Sequence, residues 1–82
     1  GIDDFDIEQI SGLHTLKGEY SEFYYKSHKY RKSLRYYPTI KELEVFSSDL
    51  DQTNKMLNYI ESQKPYFTIS ECVNQWIRNK YA

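Results

Sequence analysis

One cysteine, one methionine, two prolines and three glycines are all that this chain of 82 residues carries of those types, and each scarcity excludes something. A lone cysteine makes no internal disulfide, so the expected setting is reducing and intracellular, cytoplasmic or nuclear. Gly1, Gly12 and Gly18 are too scattered to build a phosphate-cradling loop. His14 and His28 lie far from each other and from Cys72, so no metal-ligand spacing arises. Cys72 falls among Ile69, Val73 and Trp76, where a thiol behaves as a small hydrophobe rather than a nucleophile. No stretch approaches 18 apolar residues and no signal peptide opens the chain, which speaks against a membrane segment. These absences lead to the expectation of a non-enzyme, with no catalytic residue, metal, cofactor or small-molecule substrate.

Aliphatic residues are also few: 16 are Ile, Leu, Val or Met, against 14 aromatics, nine of them tyrosine. The length fits one domain over 1–82, of which 1–13 reads as a loosely packed acidic segment. A chain of this size buries about 60% of its unfolded surface, so tyrosines must carry part of the core with their hydroxyls reaching water or a partner. Gly1, rather than Met, leads into an acidic run, which suggests a module of a larger protein.

Net charge is −1, but its order along the chain is uneven. Residues 1–25 sum to −5, residues 26–41 to +6, and the remaining 41 residues to −2. The positive segment holds Lys26, Lys29, Arg31, Lys32, Arg35 and Lys41 with no acid between them.

Apolar residues Leu16, Tyr20, Phe23, Tyr30, Leu34 and Tyr37 recur at spacings that sum to threes and fours. That pattern predicts one long helix over about 15–36, stopped by Pro38. Three capping patterns, Thr39 with Glu42, Ser48 with Asp51 and Thr68 with Glu71, each predict a helix start. The second helix of the three extends to about Ser62 and the third to near Asn79. Asp3 or Asp4 followed by Ile7 and Ile10 suggests a further short or frayed helix. The expected fold is therefore all-α, a compact domain of about four helices with the long one as platform.

The stretch Pro38-Thr39-Ile40-Lys41-Glu42-Leu43, then Ser47-Ser48, the segment Lys55–Glu61 and Lys64-Pro65-Tyr66-Phe67-Thr68-Ile69-Ser70 together resemble the helix-turn-helix and first wing strand of winged-helix DNA-binding domains. The resemblance covers roughly residues 38–70 and implies a helix entering the major groove from Ser48 onward. It makes a helix-turn-helix-like domain the alternative architecture.

On the predicted long helix, His28, Arg31, Lys32 and Arg35 cluster about 100 to 200° away from Tyr30, forming a ridge suited to duplex phosphates. Acids early and bases late also suit the helix macrodipole and a solvated outer face. The expectation is a non-enzymatic binding module that contacts nucleic acid through Lys26, Lys29, Arg31, Lys32, Arg35 and Lys41. The alternative is a protein-interaction or oligomerisation domain using exposed tyrosines among Tyr24, Tyr25, Tyr36, Tyr59 and Tyr81.

Overall fold

A computed structural model of the chain describes residues 6–26, 31–46 and 50–80. Four antiparallel strands, β1 (Asp6–Thr15), β2 (Gly18–Lys26), β3 (Arg31–Tyr37) and β4 (Glu42–Val45), are followed by α1 (Leu50–Gln63) and α2 (Ile69–Lys80). The strands pair in chain order as a meander, so the class is α+β and not all-α.

The expected helix over 15–36 is thus two strands of a sheet. Tyrosine and phenylalanine favour a pleated, half-buried surface, and Gly18 at φ +110° closes the turn after Thr15, a backbone state that glycine adopts without cost. Along β2, Ser21, Phe23 and Tyr25 point one way, and Tyr20, Glu22, Tyr24 and Lys26 the other, as a two-residue period requires. The three-and-four spacing over the same residues is a coincidence of a segment that buries side chains on both faces. Leu16, assigned to the helical stripe, is fully exposed in the β1–β2 turn.

The capping pattern at Thr39 and Glu42 likewise opens no helix. Pro38 to Lys41 make the β3–β4 turn, with Lys41 at φ +53°, and Glu42 begins β4. This removes the first helix of the helix-turn-helix alternative, and the wing is absent too, because Lys64 to Phe67 turn directly into α2. Ile7 and Ile10 belong to β1 rather than to a frayed helix. Gly12, at φ +83°, sits where the β1–β2 register shifts between Ile10 and Leu13, the position of a β-bulge. Asp3, Asp4 and the Ser48 cap lie outside the described residues.

The two later helices follow their sequence. The Thr68 hydroxyl accepts from the Glu71 amide at 3.1 Å, and the Glu71 carboxylate accepts from the Thr68 amide at 3.0 Å, a reciprocal capping box. Arg78 and Lys80 occupy the last turn of α2, where the dipole favours cations. Met56 and Ile60 of α1, and Cys72, Val73 and Ile77 of α2, pack on Phe23, Tyr25, Leu34, Tyr36 and Leu43 of the sheet. Burial pushes the Cys72 thiol pKa up, with Glu71 adding to it, as befits a core side chain. Both helices therefore cover a single face of the sheet.

Tyr25 and Tyr36, counted among the tyrosines available for contacts, belong to this core. The Tyr36 hydroxyl satisfies itself at the edge by donating to Glu61, and Lys64 donates to Glu61 at 3.0 Å and to Tyr36 at 3.4 Å. Burial pushes the Glu61 carboxyl up, but hydrogen bonds from Tyr36 and Lys64, with the charges of Lys64 and Lys41, outweigh it and hold the pKa below its ordinary 4.5.

Leu34→Ala should cost about 2–5 kcal/mol in urea denaturation, whereas Leu16→Ala should stay within about 0.5 kcal/mol; a helical platform would make both costly. Because the folded pKa of Glu61 is depressed, its contribution is full above its unfolded value and fades as the pH falls through the lowered one. Unfolding free energy should thus decline below about pH 4.5, less steeply in Glu61→Gln, as denaturation at stepped pH will read.

Candidate functional site

Among the described residues no helix covers the other face of the sheet, and the strand register orders its side chains into rows. Leu13 pairs with Tyr20 on β1 and β2, and Tyr37 with Glu42 on β3 and β4. The next row runs Ile10, Glu22, Arg35 and Glu44. The third holds Glu8, Tyr24 and Ser33, extended by Phe46, whose amide donates to the Ser33 carbonyl at 3.0 Å. The last pairs Asp6 with Lys26, and Lys26 with Arg31.

The first two rows form a closed aromatic and ionic layer. The rings of Tyr20 and Tyr37 lie 5.2 Å apart, and the Thr15 hydroxyl donates to the Tyr37 hydroxyl at 3.2 Å. Lys17, in the β1–β2 turn, reaches over β3 to Glu42 at 2.8 Å and Glu44 at 3.6 Å on β4. Its ammonium passes 5.8 Å from the Tyr37 ring centre, so its stem helps cover an open-face residue that is only 1% exposed. The Arg35 guanidinium lies between the Tyr20 ring at 4.8 Å and the Phe46 ring at 5.3 Å.

Glu22 ties this layer together. Its carboxylate, 8% exposed as a residue, accepts from Arg35 Nε at 3.1 Å and from the Tyr24 hydroxyl at 2.9 Å. A buried carboxylate requires such partners, because desolvation without them costs several kcal/mol. Donating to Glu22 raises the Tyr24 pKa above its ordinary 10.0.

Beyond that layer the face opens. Asp6, Ile7, Glu8, Tyr24, Lys26 and Phe46, with neighbouring parts of β2 and β3, line a groove of about 570 Å³. Tyr24 is 43% and Phe46 53% exposed. Asp6 and Glu8 stand on β1 and Lys26 on β2 of the open face, whereas Lys32 pairs with the core residue Tyr25 and so faces the helix side. Among the described residues none of these four enters an ion pair, although Asp6 and Lys26 are direct cross-strand neighbours.

The six cations expected to grip phosphates do not form one strip. Lys26, at the end of β2, borders the groove on the open face, while Lys32 pairs with Tyr25 and faces the helix side of the sheet. Arg31 opens β3 opposite Lys26, and Lys29, like His28, lies outside the described residues. Arg35 is bound to Glu22, and Lys41 sits in the turn at the opposite end of the sheet. Tyr24 is the exposed tyrosine of this face; Tyr59 instead tilts against Trp76 at 5.5 Å between the helices, and Tyr81 is outside the described residues. Phe46, Asp6 and Glu8 were not among the expected contacts, and only the register reveals that they stand beside Tyr24.

The described residues contain no group of three or more His, Cys, Asp or Glu side chains able to hold a metal ion, and no helix long and apolar enough to cross a membrane. Glu22→Ala should leave the guanidinium of Arg35 without its carboxylate acceptor and cost about 1–3 kcal/mol, measured by urea denaturation. In the same variant the Tyr24 pKa should return toward 10.0, which ultraviolet titration against a Tyr24→Phe reference will detect. Comparison with models of protein families, with curated proteins and with solved structures finds no match to this chain.

Proposed function

We propose that this domain is a non-enzymatic protein-interaction module whose contact surface is the helix-free face of the sheet, centred on Tyr24 and Phe46. The observation that carries the reading is the pairing of two exposed aromatic side chains in one cross-strand row, at the rim of a layer that fixes them from beneath. Aromatic anchors bring large contact area at small entropic cost. Tyr24 is restrained by its bond to Glu22, and Phe46 by Arg35 and the Ser33 carbonyl, so little ordering remains for binding to supply.

The phosphate reading keeps one specific support, the register pairing of Lys26 with Arg31 at the end of the β2–β3 pair, since a two-stranded ribbon fits the major groove. Against it stand Asp6 and Glu8 on the same groove and the engagement of Arg35 by Glu22. A polyanion would meet both signs of charge there, whereas a protein surface can match both.

Panning a displayed peptide library on the domain, with anisotropy of labelled duplex and single-stranded oligonucleotides alongside, tests the reading. Selected peptides should bind at least about tenfold more weakly to Tyr24→Ala and Phe46→Ala, and the oligonucleotides should not bind at physiological salt. Peptides indifferent to both substitutions would overturn the assignment of the face. Oligonucleotide binding that falls steeply with salt and disappears in Lys26→Ala/Arg31→Ala would replace it with the nucleic-acid reading.

A further inference from the structure

The two edges of the sheet are unlike each other. β4 is four residues long, α1 packs beside it, and the Lys17 ammonium reaches its Glu42 and Glu44. β1 is ten residues long and, among the described residues, has β2 as its one strand neighbour. Its outer side therefore presents a row of backbone amides and carbonyls paired with no strand. Proline, lysine and a bulge are the devices that ordinarily close such an edge. β1 contains no proline and no lysine, and its bulge lies beyond Ile10, at Gly12. The regular segment Asp6–Ile10 is left open, and all of it except half-buried Ile7 is exposed.

We infer that this edge, a surface separate from the open face and not resting on it, accepts an extended basic segment of another protein as a fifth, antiparallel strand. In strand addition the backbone pairing supplies affinity and the side chains supply choice. Antiparallel addition continues the pattern of the sheet and gives the more stable ladder. Asp6 and Glu8 stand on the open face, opposite Lys26 and Tyr24 of β2, and among the described residues neither enters an ion pair. The sequence around them is acidic throughout, with Asp3, Asp4, Asp6 and Glu8 and no base in residues 1–13. A lysine or arginine opposite Asp6 or Glu8 makes a favourable cross-strand pair, and a like charge an unfavourable one. Ile7 lies on the helix side and packs against the core, so the residue between the two bases is apolar. The same acids argue against a second copy. Pairing Asp6–Ile10 antiparallel with itself over most of its length sets an acid opposite or diagonal to an acid.

The probe is a labelled, end-blocked peptide, Gly-Ser-Val-Thr-Lys-Val-Lys-Ser-Gly. Laid antiparallel on β1, its lysines meet Glu8 and Asp6, the valine between them meets Ile7, and the first valine meets Ile10. Fluorescence anisotropy with the whole chain should show binding that weakens as salt is raised. Asp6→Lys/Glu8→Lys should bind at least about tenfold more weakly. The same peptide with glutamate in place of both lysines should bind that variant and ignore the wild type, a rescue that also shows the variant to be folded. Two further peptides, N-methylated at alternate residues on one edge or on the other, report the backbone. The one whose methyl groups meet β1 should lose binding, and the other should keep it.

A basic peptide that does not bind the wild type at millimolar concentration overturns the inference. Binding that ignores the charge reversal does so too, as does an equal response to the two methylated peptides, because neither fits pairing along β1. Phe46→Ala separates this surface from the open face, since edge binding should be unchanged in it. Edge binding found beside library peptides that ignore Tyr24 and Phe46 keeps the edge and retires the face. The opposite pair of results keeps the face and retires the edge.

Discussion

Everything in this domain depends on one constraint: a four-stranded antiparallel meander has two faces, and the described residues provide helices for only one of them. The two-residue period of β2 and β3 sends Phe23, Tyr25, Leu34 and Tyr36 beneath α1 and α2. It sends Glu22, Tyr24, Arg35 and Tyr37 to the side that has no cover. A sheet left bare on one side exposes apolar area and unneutralised charge together, so the bare side must be satisfied from its own side chains or by something else. This molecule does the first over half of the face and leaves the second for the other half.

The satisfied half shows how a small chain with few aliphatic residues stabilises a second surface. Tyr20, Tyr37 and the stem of Lys17 exclude water over β2 and β3, while the Glu22 carboxylate accepts from Arg35 and Tyr24. Arg35 stacks on two rings as well as pairing, which holds its planar group in one orientation. The composition that looked like a shortage of core material is therefore divided between two layers. One is aliphatic and aromatic under the helices, the other aromatic and ionic in the open. The groove begins where the second layer stops.

Where the determinants are local, the sequence is readable. The Thr68–Glu71 capping box, the basic last turn of α2 and the span of α1 to the region of Ser62 and Gln63 all follow from residues within a few positions of each other. Cys72 as a core thiol follows equally from its immediate neighbours. The strands resist the same reading because β2 buries Tyr20, Glu22, Phe23 and Tyr25, which removes the alternation that marks a half-exposed strand. Any apolar residue in such a segment fits a helical stripe by chance. Thr39 and Glu42 repeat the spacing of a capping box yet flank a turn, because Pro38 and the left-handed Lys41 send the chain back into β4.

The site was still less legible. Glu22 and Arg35 are 13 residues apart, and Asp6, Tyr24 and Phe46 share no local motif; only strand pairing makes them neighbours. The basic segment 26–41 is real as composition, but a hairpin distributes it between a groove, an internal ion pair and a distant turn. One signal in the sequence did point this way. An aromatic-rich run holding one acid, Ser21-Glu22-Phe23-Tyr24-Tyr25-Lys26, is followed by a run holding a base at its centre, Lys32-Ser33-Leu34-Arg35-Tyr36-Tyr37, and antiparallel pairing sets Glu22 opposite Arg35.

A double-mutant cycle on Glu22 and Arg35 tests the central claim most directly, because it measures whether these two side chains face each other on an uncovered sheet. On a continuous helix, positions 13 apart would be separated by about 20 Å and could not couple. Unfolding free energies of the wild type, Glu22→Ala, Arg35→Ala and the double variant should give a coupling of about 1 kcal/mol or more. Additivity to within about 0.3 kcal/mol would contradict the pairing, and with it the layer at whose rim the groove opens.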